Sequence, residues 1–371
     1  MEIHTNGGTL QVDERKLGVL AAIVEEYIRT GEPVGSKAVA GLLDVAVSSA
    51  TIRNDMAALE KLGLLEQPHT SAGRVPSYLG YRVYIDKLMR PKPLSDEEKG
   101  LIDSLLCQND VTANAVVENA VDALANLTGC AAVTSSGIPQ FSVITRVEVV
   151  PAGRRLYALL IITSAGEIKN KICRVEFDLT YEQLDFFARF INDNLHGLRL
   201  ETLNPAYIQS LAVALGSYML SLSPLLYAVY ELTGEIRHQD VDIKGEANLL
   251  SYRDVDAKEV VQFMSSKNQL ATLLNSAFDG IHVIFGKENQ SFAITNSSLI
   301  LSQYNIGRQN AGSLGLIGPI RLDYAKMIPY IQYITDEMTK RLSQVISEDL
   351  SPERQEEDKP ERGRQNRVEK E

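Results

Sequence analysis

The sequence contains few cysteines and histidines, the residues that most often bind metals or form disulfides. Its 371 residues include five histidines and three cysteines, Cys107, Cys130 and Cys173. The cysteines are far apart without a C-x-x-C pair, and the histidines show no metal-ligand spacing. Cysteines used this sparingly are typical of a reducing compartment. We therefore predict a cytoplasmic protein with buried free thiols, no metal site and no cofactor.

The residue pattern of the sequence also predicts no targeting segment and no membrane-spanning segment. Residues Met1–Thr9 are polar and lack the apolar stretch of a signal peptide. Between Glu201 and Glu231 no charged residue occurs, and this run is long enough to span a bilayer. However, its flanks are acidic, whereas a membrane span favours basic ones. We predict a pair of buried or interface helices broken at Pro224, and no membrane contact.

Catalytic groupings are absent as well. The sequence shows no paired carboxylates near glycines and no Ser/Cys–His grouping. Residues Gly312–Gly318 are rich in glycine, but they lack the Lys-Ser/Thr end of a phosphate loop and the G-x-G-x-x-G spacing. This stretch favours a strand of small residues. We predict that the chain is not an enzyme and has no catalytic residues.

Three helices and a hairpin are predicted in the N-terminal part of the chain. The first helix starts at Asp13, and the second covers Lys37–Leu43. After a short turn, the third can be capped by Ser48 or Ser49 and can end at Gly63, which tolerates a left-handed backbone. The apolar face of the third helix comprises Ile52, Met56, Leu59 and Leu62. Two helices joined in this way are typical of a helix-turn-helix unit.

The opposite face of the third helix is polar and comprises Thr51, Arg53, Asn54, Asp55 and Lys61. The following strand and the loop ending at Pro76 would form a wing. Short polar groups and an arginine near a helix N-terminus suit base edges and phosphates in a major groove. The candidate DNA-contacting residues are Ser49, Thr51, Arg53, Asn54, His69 and Arg74. On its own, the helical pattern also fits a helix pair in an ordinary α+β core with a solvated face.

This N-terminal segment carries no excess of positive charge. The whole chain has a net charge of −11, whereas residues 10–90 contain ten Lys or Arg and ten Asp or Glu. Affinity for DNA comes largely from cations that neutralise phosphates. A neutral unit therefore predicts modest affinity for each monomer, a need for dimerisation, and binding that weakens with salt.

Two segments carry a resemblance to a known family. They are S-A-G-R-V-P-S-Y-L-G-Y-R-V-Y-I-D at Ser71–Asp86 and G-L-I-G-P-I-R-L-D-Y at Gly315–Tyr324. Both are similar to segments of the heat-inducible transcription repressors of the HrcA family, and the resemblance extends to about residue 345. It implies a bacterial repressor of chaperone operons of the groE/dnaK type. Such a repressor binds an inverted-repeat operator as a homodimer, is released on heat stress and is assisted in folding by the GroE chaperonin.

The resemblance also implies an order of domains within an α+β chain. Three stretches rich in β-forming residues at 143–175 agree with an antiparallel sheet, and the charged residues after Ser347 agree with disorder. The expected units are an N-terminal winged helix-turn-helix domain at 1–90, a linker at 91–99, a GAF-like antiparallel-sheet domain at 100–205 and 295–346, an inserted α/β dimerisation domain at 206–294, and a disordered charged C-terminal tail at 347–371.

Two groups of residues have alternative interpretations. Tyr78, Tyr81 and Tyr84 lie three residues apart, and a packing stripe is favoured over a connector that contacts phosphates through Arg82 or Lys87. In the expected inserted domain, apolar residues are candidates for a dimer interface or for plain core. These are Leu211, Leu215, Met219, Leu222 and Leu226.

Three functions follow from these observations. The leading hypothesis is a dimeric, sequence-specific repressor of heat-shock chaperone genes. The second is a metabolite-responsive winged-helix repressor that uses the GAF-like domain as a ligand sensor. The third, an enzyme with a winged-helix appendage, lacks a catalytic grouping to support it.

Overall fold

The chain folds into helices and antiparallel strands. The computed structural model describes residues 2–5, 8–43, 47–69, 73–107, 112–136, 141–216, 219–237, 240–275, 278, 280–286, 288, 292–307 and 309–349. The helices are α1 Glu14–Thr30, α2 Ser36–Leu42, α3 Ser49–Lys61, α4 Tyr78–Val83, α5 Asp96–Leu106, α6 Ala113–Thr128, α7 Tyr181–Leu195, α8 Pro205–Ala214, α9 Met219–Arg237, α10 Glu246–Leu250, α11 Ala257–Met264, α12 Lys267–Leu274 and α13 Tyr324–Asp349. The strands are β1 Glu2–Thr5, β2 Gly8–Gln11, β3 Leu65–Glu66, β4 Val75–Pro76, β5 Ala131–Ser136, β6 Ile144–Gly153, β7 Leu156–Thr163, β8 Ile168–Arg174, β9 Asp240–Lys244, β10 Ile281–Phe285, β11 Ser297–Ile306 and β12 Gln309–Pro319. The predicted α+β class is confirmed.

The N-terminal unit consists of α1, α2 and α3 followed by the hairpin β3–β4. The cap residues act as their chemistry predicts: the Ser48 hydroxyl accepts a hydrogen bond from the Thr51 amide at the start of α3. After α3, Gly63 has a φ of 73°, which is the left-handed region that glycine tolerates. Ile52, Met56 and Leu59 are buried in the core of this unit. The polar side of α3 is thereby turned away from α1.

A five-stranded antiparallel sheet forms the centre of the molecule, with the strand order β10-β11-β12-β5-β9. Alternate residues of each strand point to opposite faces. One face packs in the same core as α6 and α13, and the other packs against apolar residues of α10, α11 and α12. The sheet is thus covered by helices on both sides.

A separate three-stranded antiparallel sheet is formed by β6, β7 and β8. In β7, Tyr157, Leu159 and Ile161 are buried in one cluster with apolar residues of α7, α8 and α9. The opposite face of this sheet carries side chains that are partly or largely exposed. One side of the sheet is therefore helix-covered and the other is open.

The strand pairing divides the chain differently from the expected domain boundaries. β9 and β10 lie in the segment 206–294 but pair within the five-stranded sheet, whereas β6–β8 lie in 100–205 and pair with one another among the described residues. The segment that leaves the five-stranded sheet after β5 and returns at β9 is therefore 144–237. The sequence could not give this division, because alternation predicts a strand without identifying its partner.

Two other expectations need correction. The helix break expected at Pro224 does not occur, because α9 runs through this residue from Met219 to Arg237. Pro224 is the sixth residue of α9 and has no N–H, so the helix continues without the hydrogen bond that this position would donate to the carbonyl of Leu220. The tail expected at 347–371 begins within α13, which extends to Asp349, and its remaining residues lie outside the described ones.

The N-terminal unit packs directly on the five-stranded sheet through α4. The rings of Tyr78 and Tyr81 lie 5.9 and 6.0 Å from that of Phe285 in β10. Tyr81 also makes an edge contact with Tyr324 at 6.1 Å. In the connecting segment, the Lys92 amide donates a hydrogen bond to the carbonyl of Ala325. The tyrosines thus form the packing stripe that the sequence favoured.

Candidate nucleic-acid interface

The exposed side of α3 gathers several of the predicted DNA-contacting residues. Arg53 and Asn54 are exposed near its N-terminus, and Ser49 and Thr51 are partly buried. The Thr51 hydroxyl lies 2.9 Å from the Ser48 hydroxyl, so Thr51 belongs partly to the helix cap. These positions present one arginine, one amide and two hydroxyl groups on about one and a half turns of helix.

Three cations of the N-terminal unit are available to bind an anion. Lys37 in α2 and Arg53 and Lys61 in α3 are exposed, and none of them forms an ion pair with another described residue. Ion pairs occupy other basic residues of this unit, including Arg15 and Arg29. Free positive charge is therefore present on the helix pair itself, although residues 10–90 taken together are neutral.

Asp55 does not belong to the polar face where the sequence pattern placed it. The residue is only 4% exposed, and its carboxylate accepts hydrogen bonds from Nε and Nη2 of Arg15 at 2.8 and 3.0 Å. These hydrogen bonds, with the nearby negative charge, raise the pKa of the Arg15 guanidinium. The pattern missed this pair because Arg15 lies on α1, 40 residues earlier.

Arg74 lies on the hairpin, as expected for a wing, but its guanidinium faces the protein. Nε and Nη2 lie 3.0 and 2.8 Å from Oε2 of Glu60, and the side chain is 18% exposed. The backbone of Arg74 exchanges two hydrogen bonds of 2.9 Å with Val34. A Cβ on Gly73 would lie 2.3 Å from the Val34 carbonyl oxygen, so only glycine permits this approach.

The remaining candidates lie apart from one another. His69 is exposed at the end of the described part of the hairpin, and residues 70–72 lie outside the described ones. Arg82 donates hydrogen bonds to the Val283 carbonyl and to Glu288, at 2.7 and 2.6 Å. It therefore joins α4 to the sheet, whereas Lys87 is exposed. Of the two residues in that alternative, Lys87 remains consistent with a connector that contacts phosphate.

The proposed interface leucines lie in the core of the unit formed by β6–β8 and α7–α9. Leu211, Leu215, Leu222 and Leu226 are all buried, and the side chain of Met219 lies outside the described ones. The apolar faces of α8 and α9 pack inward, so plain core is the correct interpretation for these four. Large exposed apolar side chains of this unit are found elsewhere. They include Val150, Ile168, Ile172, Val213 and Tyr227.

The three cysteines lie outside α2, α3 and the hairpin. No group of three His, Cys, Asp or Glu residues able to hold a metal ion occurs in the described part of the chain. Cys130 and Cys173 are buried, and burial raises the pKa of both thiols. Cys107 is exposed at the end of α5, where it accepts a hydrogen bond from Arg341, so the expectation of three buried thiols was wrong for this residue. Among the described helices, none has the length and apolar character needed to cross a bilayer.

Comparisons with known proteins identify the family. The family model described as the HrcA protein C terminal domain matches residues 114–328. A heat-inducible transcription repressor HrcA from Acetivibrio thermocellus is 34% identical over 92% of this chain and 99% of its own length. One from Clostridium botulinum is 35% identical over 90% of this chain and 99% of its own.

A solved structure agrees with the fold. A crystal structure described as that of a hypothetical protein superposes with a TM-score of 0.64 and 24% identity, covering 90% of this chain and 100% of its own. The curated relatives are transcription repressors, which confirms the prediction that the chain is not an enzyme. With matches over nearly the full length of both chains, the sequence belongs to the HrcA family of heat-inducible transcription repressors.

Proposed function

We propose that this repressor binds an inverted-repeat operator of chaperone operons as a homodimer. It acts in the cytoplasm on operons of the groE/dnaK type, is released on heat stress and is assisted in folding by the GroE chaperonin. The exposed face of α3, with Arg53, Asn54 and Lys61, is the observation that carries the proposal. It supplies base-reading groups and free positive charge on one helix.

The N-terminal unit acts as a winged helix-turn-helix domain in this proposal. α2 and α3 are the helix pair, α3 is the recognition helix and β3–β4 is the wing. An exposed arginine and asparagine suit the edges of guanine and adenine in the major groove. Arg53 and Asn54 are therefore the base-reading residues, while Ser49 and Thr51 lie near the helix start, where a phosphate can approach. His69 follows the wing strand and contacts the DNA backbone.

Dimerisation compensates for the lack of net positive charge in each DNA-binding domain. Residues 10–90 carry equal numbers of basic and acidic groups, so one domain neutralises few phosphates. Two linked domains on two half-sites raise the overall affinity without any new contact. Loss of the dimer or of the fold on heating then releases the operator, because a single domain binds too weakly to remain on it.

The segment 144–237 serves as the inserted dimerisation domain, and the five-stranded sheet with its helices serves as the GAF-like domain. The open face of β6–β8 is the surface through which two copies pair. Ile168 and Ile172 are each 57% exposed on this face, and the cross-strand row Ile172, Ala158 and Val150 continues it. A twofold dimer requires a self-complementary patch, and an uncharged apolar row satisfies that requirement.

Operator binding by the intact protein tests this function. We expect a labelled inverted repeat from a chaperone operon to be retarded in a gel, with a much weaker shift for a single half-site. On heating, the complex should dissociate at a lower temperature than the one at which the N-terminal unit itself unfolds. Equal binding to scrambled DNA of the same length would contradict operator recognition. Retention up to complete unfolding would contradict release by heat.

A ligand sensor is the second candidate. The buried Ser135 hydroxyl has no hydrogen-bond partner among the described residues, and it lies in the five-stranded sheet. A buried donor without a partner is costly, so a bound small molecule would stabilise it. A thermal-shift screen of metabolites on the wild type and Ser135→Ala tests this candidate: a stabilising compound whose effect is lost in the variant supports it.

A further inference from the structure

Two arginine–carboxylate pairs hold α3 from opposite sides. On one side, Arg15 of α1 binds both carboxylate oxygens of Asp55. On the other, Arg74 of the hairpin binds Glu60 through Nε and Nη2. Both carboxylates belong to α3, and both arginines belong to elements that flank it. The helix is thus attached to its neighbours by charge as well as by its apolar face.

The two carboxylates lie at different angles around the axis of α3. Residues five apart on an α-helix are separated by about 140° around its axis. The buried Ile52, Met56 and Leu59 occupy the arc between Asp55 and Glu60. Arg53, Asn54 and Lys61 occupy the remaining arc, which faces solvent. The two pairs therefore lie at the two edges of the buried face and resist rotation of α3 in either direction.

The geometry of Arg74 is unlike that of a phosphate contact. Its guanidinium is largely covered, and two of its nitrogens already face Glu60. Its backbone is fixed by the hydrogen bonds with Val34. To bind a phosphate, the side chain would have to leave Glu60, and a carboxylate would then remain beside the DNA. This observation separates Arg74 from the free cations Lys37, Arg53 and Lys61.

We infer that Asp55 and Glu60 are positioning residues that fix the rotation of α3 for base reading, and that Arg74 acts on Glu60 and does not contact phosphate. This inference rests on the proposed operator binding. A side-chain tip about 6 Å from the helix axis moves about 2 Å when the helix rotates by about 20°. A shift of that size breaks a hydrogen bond to a base edge, but it leaves non-specific attraction to phosphates almost unchanged.

The substitution Glu60→Gln distinguishes a Glu60 that positions α3 from a Glu60 that only restrains a phosphate-binding Arg74. Removing a negative charge near DNA ordinarily raises affinity for every sequence. If Glu60 positions α3, the ratio of operator affinity to scrambled-DNA affinity falls, by about three- to fivefold. If Glu60 only restrains a phosphate-binding arginine, the ratio stays the same or rises. Glu66→Gln is the matched control, because Glu66 is exposed on β3 and loses the same charge.

The ratio is measured by fluorescence anisotropy on the full-length dimer with operator and scrambled duplexes. A partly unfolded preparation lowers both affinities equally, so the ratio still reports on positioning. A lower ratio for Glu60→Gln with an unchanged ratio for Glu66→Gln supports the inference, and an unchanged Glu60→Gln ratio overturns it. If the wild type itself shows no preference for operator, operator binding fails as a function, which is a separate result.

Salt dependence provides a second and independent readout. Each lost phosphate contact lowers the slope of log affinity against log salt concentration by about 0.9. We expect Arg74→Ala to weaken operator binding with the slope unchanged, whereas Lys61→Ala should lower the slope. A decrease in slope for Arg74→Ala of the size seen for Lys61→Ala would show that Arg74 contacts phosphate and would overturn the inference.

Discussion

The guanidinium of Arg82 donates a hydrogen bond of 2.7 Å to the carbonyl oxygen of Val283. It also pairs with Glu288 at 2.6 Å and lies over the ring of Phe285 at 5.1 Å from its centre. One side chain of α4 thereby fastens the N-terminal unit to strand β10. This contact helps to set the orientation of the N-terminal unit, including α3, relative to the sheet.

Loss of the Arg82 contact should loosen the two units. We expect Arg82→Met to lower the free energy of unfolding by about 1–2 kcal/mol, because a backbone carbonyl and a carboxylate lose their donor. Limited proteolysis should cut faster near residues 90–95. Arg29→Met is the control, because Arg29 pairs only within its own helix, with Glu26, among the described residues. Equal protease sensitivity of the two variants would contradict the role of Arg82.

Substitutions on the exposed face of α3 should weaken DNA binding and leave the stability of the fold unchanged. Arg53→Ala and Asn54→Ala should each weaken operator binding by about 1–3 kcal/mol, because a base-edge contact is lost. Both side chains are exposed, so the thermal midpoint should not change. Arg189→Ala, on the distant helix α7, is the control and should bind operator like the wild type. Operator titrations by anisotropy, together with thermal unfolding, measure both quantities.

Much of α3 could be predicted from the sequence, because it depends on local chemistry. The cap at Ser48, the end at Gly63 and the burial of Ile52, Met56 and Leu59 all follow from residue type and spacing. The pairs that hold α3 could not be predicted in this way. Asp55 and Arg15 are 40 residues apart, and their attraction appears only after α1 and α3 pack together.

The same limit applies to the sheets. The strands β6, β7, β8 and β12 were each recognisable from the residue types in their own segments. β9 was missed because it is only five residues long and lies in a polar segment, although Val241 and Ile243 alternate with charged residues. The local pattern does not show which strands pair with each other. For this reason the expected domain boundary differs from the observed pairing, and leucines of the core were expected at a dimer interface.

Two glycines in helices should respond oppositely to alanine. A Cβ on Gly80 of α4 would lie 2.1 Å from the carbonyl oxygen of Leu64, so Gly80→Ala must displace backbone. We expect it to destabilise the protein by about 1–3 kcal/mol. Gly100 of α5 has no atom within 4 Å of the same position, and Gly100→Ala should stabilise the helix by about 0.5–1 kcal/mol. Denaturant unfolding of both variants measures the change in the free energy of unfolding and thus its sign for each glycine.

Charges on the open face of β6–β8 should separate the proposed dimer. We expect the double substitution Ile168→Glu and Ile172→Glu to give a monomer in analytical ultracentrifugation, because two copies would bury four carboxylates against each other. Each side chain is already exposed, so the secondary structure should be retained. Val261→Glu on α11 is the control, since Val261 is equally exposed on another unit. A dimer that survives the double substitution would place the interface elsewhere.

The contact between α5 and α13 should weaken in acid. Glu98 accepts hydrogen bonds from the Tyr330 hydroxyl and from the Ser95 amide, which hold its pKa below the usual 4.5. A carboxyl group with a lowered folded pKa stabilises the fold above pH 4.5, and this contribution is lost as the pH falls through the folded value. Tyr330→Phe should therefore show a smaller decrease of stability between about pH 5 and pH 3. Tyr227→Phe is the control, and an identical pH profile for both variants would contradict this assignment.

The position of β5 in the central sheet determines how the chain refolds. The hydroxyl of Thr134 in β5 bonds to the carbonyl of Ser313 in β12, 179 residues further along the chain. Pairings between such distant segments form slowly, because a long stretch of chain must be closed before they contribute. We therefore expect recovery of the fold after a heat pulse to be slow. The interval for which the target genes stay active after cooling would then be set by the closure of β5 between β9 and β12, and not by the fall in temperature.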